Sequence, residues 1–319
     1  MSSEVFRIDT HHHILPTEWV KAALAAGEVD AGGVDFPAWS PEKAIALMDQ
    51  AGIATAITSI AAPGVHFGDA ERARTLARRC NEVSAELVRS YPGRFGGFGV
   101  LPLPDVDGAL REMEYALDTL ELDGIVVLAS IGERYLGDPA FDAVFAEFNR
   151  RKTVVFVHPT VHPTSRALKL SLPGALVEFV FDTTRAAANL IYSGTLERNP
   201  DLRIILSHAG GTIPFLASRL TLGRLVPRLH EKAPQGAISY LKRFYYDTAL
   251  SVNAYQLASL KELVDPSHIL FGSDYPYYPD PLVVQEGQDL DRYAGFDPDA
   301  RRAIARDNAL ALFPRLRGR

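Results

Sequence analysis

The side chains best suited to chemistry in this chain stand at the ends of apolar runs. Asp9-Thr10-His11-His12-His13 follows such a run near the start. Side chains alternate along an extended backbone, so His11 and His13 face one side and His12 the other. Two imidazoles at that spacing suit a single metal ion. His158 closes a second apolar run (153–157), His208 a third (203–207), and Asp274 follows a fourth (268–272). His11, His13, His158 and Asp274 together offer three neutral nitrogens and one carboxylate. That set fits one Zn²⁺, with Mn²⁺ the other candidate, and leaves room for water or substrate. Taken singly, His158 reads as a core histidine and Asp274 as a turn cap. Their common position after apolar runs is what joins them into one site.

His208 lies in Ser207-His208-Ala209-Gly210-Gly211 and is either a fifth ligand or an unligated acid/base beside the metal. The acid/base reading is favoured. Asp247, at the end of another run (244–248), reads as an orienter of a histidine. A second metal would call for a bridging carboxylate or modified lysine on the fourth strand, and residues 125–130 offer neither. The expected complement is one divalent ion.

The elements that must position these groups follow from periodicity. Eight β-branched runs, at 5–9, 53–60, 96–101, 124–128, 153–157, 203–207, 244–248 and 268–272, read as strands. Segments of helical period lie near 41–51, 69–91, 107–121, 139–151, 184–199, 213–221, 253–264 and 298–312. Ser40-Pro41, Asp138-Pro139 and Asp297-Pro298 each place a capping residue before a proline at the first helical position. Strand runs apolar throughout, such as 125–128 and 154–157, fit a parallel sheet buried on both faces. The count of eight favours a closed (β/α)8 TIM barrel over an open doubly wound sheet. No G-x-G-x-x-G follows the first strand and no P-loop is present. Two irregular insertions, 14–40 after the first strand and 159–183 after the fifth, would sit over the active-site mouth. Residues 1–319 read as one domain.

The 33 basic and 39 acidic residues are interspersed and sum to −6, so no basic stripe for nucleic acid or anionic membrane exists. The lone cysteine, Cys80, excludes an intrachain disulfide and reads as a small apolar helix residue. Met1-Ser2-Ser3-Glu4 carries no leader-like pattern, and no run is long enough for a membrane span, which points to the cytoplasm.

Asp-x-His-x-His after the first strand, a histidine after the fifth, His-Ala-Gly-Gly after the sixth and Gly-Ser-Asp-Tyr-Pro after the eighth resemble the amidohydrolase superfamily. The run from His208 to Phe215 and Gly272-Ser-Asp-Tyr-Pro are similar to its metal-dependent non-oxidative decarboxylase branch, which contains 2-amino-3-carboxymuconate semialdehyde and γ-resorcylate decarboxylases. His11-His-His-Ile-Leu-Pro, Phe181-Asp-Thr-Thr-Arg-Ala-Ala and Ser193-Gly-Thr-Leu-Glu-Arg resemble the 6-methylsalicylate decarboxylases. The resemblance implies the same four ligands, with His208 as the catalytic histidine. It also implies that Arg219, eleven residues later, reaches a neighbouring subunit's site to hold substrate carboxylate, and so a homodimer or dimer-based oligomer. Otherwise Arg219 is a solvated helix residue. The branch's other carboxylate-binding arginine has no counterpart, because residues 14–71 contain no arginine, and a monocarboxylate fits better.

A flat aromatic acid could pack among Trp39, Phe179, Phe181, Tyr275 and Tyr277, although each alone reads equally as core. Arg185 would pair either with Asp182 or with a substrate anion. The leading expectation is decarboxylation of a salicylate-type ortho-hydroxy acid, with Asp274 or His208 delivering the proton. The alternatives are metal-dependent hydrolysis of a lactone or amide with His208 as base, and a non-catalytic metal-binding barrel.

Overall fold

The structure, a computed structural model, describes residues 6–168 and 170–318. Val5, where the first strand is expected to begin, lies outside the described residues, as do Met1 to Glu4. Eight parallel strands pair in chain order: β1 Arg7–His13, β2 Ile53–Ser59, β3 Phe95–Val100, β4 Gly124–Leu128, β5 Val154–His158, β6 Arg203–Leu206, β7 Tyr245–Asp247 and β8 Ile269–Leu270. In the β4–β5 pair, for example, Ile125 stands opposite Val155 and Leu128 opposite His158.

The sheet closes where the chain leaving β8 runs beside β1. Thr10 N–H donates to the Phe271 carbonyl at 2.9 Å, Asp274 N–H to the His11 carbonyl at 2.8 Å, and His13 N–H to the Tyr275 carbonyl at 2.7 Å. The result is the (β/α)8 barrel expected from the strand count. β1 runs on through all three histidines, which makes their alternation real, and all seven of its residues are buried. Phe98 and Phe156 stack inside at 5.4 Å.

Helices α1 Thr17–Ala25, α2 Pro41–Ala51, α3 Ala70–Ser90, α4 Val106–Glu114, α5 Asp142–Arg151, α6 Gly174–Tyr192, α7 Ile213–Leu220, α8 Ala254–Leu263 and α9 Asp280–Arg292 connect and surround the strands. The capping signals hold. The Ser40 hydroxyl accepts from Lys43 N–H, Asp138 from Ala140 N–H and Asp297 from Ala300 N–H. Cys80 is buried in α3. Neither insertion is wholly irregular. α1 lies within the first, and α6 begins inside the second, ten residues before the helix expected from position 184. α9 was not anticipated at all. Among the described residues no helix is long and apolar enough to cross a membrane.

Candidate active site

His11 and His13 project from β1, His158 ends β5, His208 lies two residues past β6, and Asp274 lies four past β8. All five stand at the C-terminal end of the barrel, where the strand-to-helix loops converge. One donor atom each from His11, His13, His158 and Asp274 lies within 4.8 Å of the others, which forms a metal site of three histidines and one aspartate. His11 Nε2 and His13 Nε2 approach to 3.0 Å, and Asp274 Oδ1 lies 3.2 Å from the first and 3.1 Å from the second. His208 addresses the other carboxylate oxygen, with Nε2 3.3 Å from Asp274 Oδ2.

The three histidines of the cluster are each held from behind, whereas His208 Nδ1 is buried without a partner among the described residues. Asp247 Oδ2 sits 2.8 Å from His11 Nδ1, as expected for an orienter, and its Oδ1 accepts the backbone N–H of His208 at 2.8 Å. Ser59 Oγ lies 3.0 Å from His13 Nδ1, and His158 Nδ1 lies 2.8 Å from the Pro159 carbonyl. With those outer nitrogens engaged, the inner ones are left to face one another. Asp9 fixes the remaining ligand: its carboxylate accepts Ser273 N–H at 3.0 Å and Ser273 Oγ at 2.5 Å, beside Asp274.

The backbone bends unusually at His208 and Asp274. His208 has φ 54° and Asp274 φ 56°, the left-handed region that side chains rarely adopt. Such strain persists where surrounding structure imposes it, and it aims both side chains inward. Gly272 is required by close approach, since a Cβ there would meet His11 Cβ at 2.8 Å.

The electrostatics fit a divalent cation. Burial alone would lower the His11 pKa, but Asp247 and Asp274 outweigh it and push it up to about 10. Burial lowers His13 and depresses His158 further. For Asp274 burial acts upward, yet His11, His13 and His208 hold it well below the usual carboxylate range. The buried Asp247 and the partly buried Asp274 thus call for positive charge at the point where the imidazole nitrogens converge. A proton on His11 answers that need without a metal, and an ion bound by the four ligands would replace it.

An apolar wall covers the cluster. Phe179 lies 6.0 Å from the His158 ring and Tyr277 5.5 Å from the His13 ring. Phe179, Ala31 and Ala62 form one buried group with Phe36, Val161 and Tyr277 packed against it. A cavity of about 370 Å³ borders this wall, lined by Gly32, Ala62, Thr160, Val161 and Glu178 among others. The Tyr277 hydroxyl is buried without a hydrogen-bond partner among the described residues.

Other expected contacts are placed elsewhere. Phe181 is 39% exposed, because two helical steps from Phe179 turn it to the other side of α6. Trp39 is half-buried against the main core, with its indole N–H unpartnered among the described residues. Arg185 does not pair with Asp182; it is exposed, and its guanidinium lies 3.4 Å from the Tyr135 hydroxyl. Arg219 is exposed on α7. The sequence reading missed Ser59, Asp9, Ala31 and Ala62, and only Asp9, inside the Asp-x-His-x-His run, carried a local signal.

A closed parallel barrel that, among the described residues, gathers three histidines and an aspartate in one cluster with a fourth histidine beside it is the architecture of a metal-binding barrel enzyme. The chain belongs to the amidohydrolase family, whose model matches residues 8–315. It is 37% identical over 317 residues to the 6-methylsalicylic acid decarboxylase of Penicillium expansum, covering 98% of this chain and 97% of that one. It is 38% identical to the decarboxylase yanB of Aspergillus niger, over 97% and 88% of the two chains. Among solved structures, the 5-carboxyvanillate decarboxylase of Novosphingobium aromaticivorans, complexed with manganese and 4-hydroxy-3-methoxy-5-nitrobenzoic acid, superposes with a TM-score of 0.87. It is 25% identical, over 98% of this chain and 99% of that one.

Proposed function

We propose that this protein is a carboxy-lyase that removes the carboxylate of a small ortho-hydroxylated aromatic acid of the salicylate type, without an oxidant. The observation that carries the reading is the two-sided Asp274, with Oδ1 in the ligand cluster and Oδ2 3.3 Å from His208 Nε2. The decarboxylase relatives add to it. The lactone or amide hydrolase is not favoured, since the ligand set suits both and the relatives do not.

When bound, a divalent ion would supply the charge that holds a phenolic oxygen and carboxylate together and polarises the ring. His11, His13, His158 and Asp274 would hold it. The donor set favours Zn²⁺, and the manganese of the carboxyvanillate relative makes Mn²⁺ the second ion to test. Phe179, Ala31 and Ala62 give the ring an apolar wall, and the Tyr277 hydroxyl, without a partner among the described residues, can donate to a substrate oxygen. The His208–Asp274 pair carries the proton that adds to the carboxylate-bearing ring carbon. The carbon–carbon bond then breaks, its electron pair restores the aromatic ring, and CO₂ leaves.

Residues 1–319 act as one catalytic barrel in a cytoplasmic homodimer. Phe215, four residues before Arg219 on α7, is exposed, as are Leu222 and Leu225 just after that helix, and these apolar side chains support the pairing in which Arg219 reaches the partner's substrate. Arg219→Ala is expected to stay dimeric in sedimentation while losing activity.

The deciding experiment measures metal content and follows absorbance and CO₂ with a panel of 2-hydroxybenzoates that includes 6-methylsalicylate. The expected result is about one metal per chain with CO₂ release from at least one member. One metal per chain with no decarboxylation of any member overturns the reading.

A further inference from the structure

His158 and Asp182 are joined through a single peptide unit. His158 Nδ1 lies 2.8 Å from the carbonyl of Pro159, and the N–H of that same amide, Thr160, donates to Asp182 Oδ2 at 2.9 Å. A trans amide points its C=O and N–H in opposite directions, so the imidazole and the carboxylate lie on opposite sides of it. A carbonyl can only accept. The Nδ1 of His158 therefore carries the hydrogen, and its Nε2 lone pair is left for the cluster.

The carboxylate is well placed to act on that amide. Asp182 is 1% exposed, sits on α6, and also accepts Ser130 Oγ at 3.2 Å just beyond β4. Among the described residues no cation lies within ion-pair distance of it, and its Oδ1 is buried without a partner. The Thr160 N–H is the one backbone donor on it among the described residues, beside the Ser130 and Tyr135 hydroxyls, in a region of low dielectric where successive hydrogen bonds polarise one another. His11 has a carboxylate directly behind it, His13 a serine hydroxyl, and His158 only a neutral carbonyl. The amide link extends to His158 what Asp247 does for His11.

We propose that Asp182 is a positioning residue for the metal centre, acting through the Pro159–Thr160 amide to orient His158 and strengthen Nε2 as a donor. The inference rests on His158 being a ligand.

Asp182→Asn tests it. The amide oxygen still accepts from Thr160 and Ser130, the new NH₂ falls where Oδ1 has no partner, and only the charge is removed. Thermal melts should match wild type. The dissociation constant for Zn²⁺, measured by chelator competition, should rise about tenfold, and the visible bands of the Co²⁺-loaded protein should shift. Unchanged affinity and bands overturn the proposal, provided His158→Gln loses the metal. If His158→Gln binds metal as wild type does, the ligand reading itself falls, and the relay with it.

A measurement on the unaltered chain guards against an Asp182→Asn protein that does not fold. Linkage is reciprocal, so a relay that strengthens metal binding must itself be strengthened by the metal. The Thr160 amide proton should move downfield and exchange more slowly on Zn²⁺ loading. No change in either overturns the relay.

Discussion

His208 Nε2 lies 3.3 Å from Asp274 Oδ2, on the carboxylate oxygen that does not face His11 and His13. In the proposed reaction the carboxylate would separate two tasks, ligation on one edge and proton exchange on the other. His208 is near the ligands without being one of the four that converge.

His208→Ala is expected to keep its metal and lose turnover by ~10²–10⁴-fold, the usual worth of a positioned acid/base. Metal analysis and the absorbance assay on one preparation check this. Loss of metal along with activity would make His208 a fifth ligand.

Asp247 serves two histidines at once, with one oxygen on His11 Nδ1 and the other on the His208 backbone N–H. Asp247→Asn keeps the shape but only one acceptor oxygen, so its NH₂ must face either His11 Nδ1 or the His208 N–H, and one contact is lost along with the charge that makes His11 a strong donor. Metal affinity should fall by ~10–100-fold, with activity recovered only at higher metal concentration. Activity that saturating metal restores fully would confine Asp247 to the ligand, and a residual defect would show that it also sets His208.

Much of this site was legible because it depends on short-range periodicity. Alternation along one strand paired His11 with His13, and barrel closure brought the ends of β5 and β8 to them. The helices that were missed or begun too late share a cause. α1, α6 and α9 each follow a proline at the cap position, Pro16, Pro173 and Pro279, with no side-chain capping bond. The helices anticipated at Pro41 and Pro298, and the turn at Pro139 that leads into α5, announce themselves through Ser40, Asp297 and Asp138. Missing α6 made Phe181 look like a site residue, because only a helix turns it away from Phe179. Ala31, Ala62 and Ser59 reach the site through tertiary contacts alone, and such contacts leave no spacing to read.

Gly211 is where the His208 turn presses against α6. It has φ 63°, and a Cβ there would stand 2.1 Å from the Val180 carbonyl oxygen. Gly68 provides the control, since its φ of 88° is equally unsuited to a side chain but nothing lies within 4 Å. Gly68→Ala should cost only the backbone strain, ~1–3 kcal/mol. Gly211→Ala should cost more and displace His208, seen as a lower Tm than that of Gly68→Ala together with lost activity. Equal melting temperatures for the two variants would mean that α6 yields to the added methyl.

Glu286, on α9, accepts the backbone N–H groups of Ser251 and Val252 at 3.0 and 3.3 Å and so holds the loop after β7. Burial pushes its pKa up to about 8 from an ordinary 4.5, against the pull of those N–H donors. Between those two values the folded chain keeps a proton that the unfolded chain has released. The native state then binds more protons, so stability falls as pH rises across that window and levels off above it. Glutamine accepts the same N–H groups and does not titrate. Glu286→Gln should therefore differ little from wild type at about pH 5 and become the more stable of the two by about pH 8 to 9. Urea unfolding midpoints of both proteins, taken at several pH values across that range, check this. Curves that run parallel would place the ionised carboxylate in the folded protein at neutral pH, with the N–H groups of the loop compensating its burial.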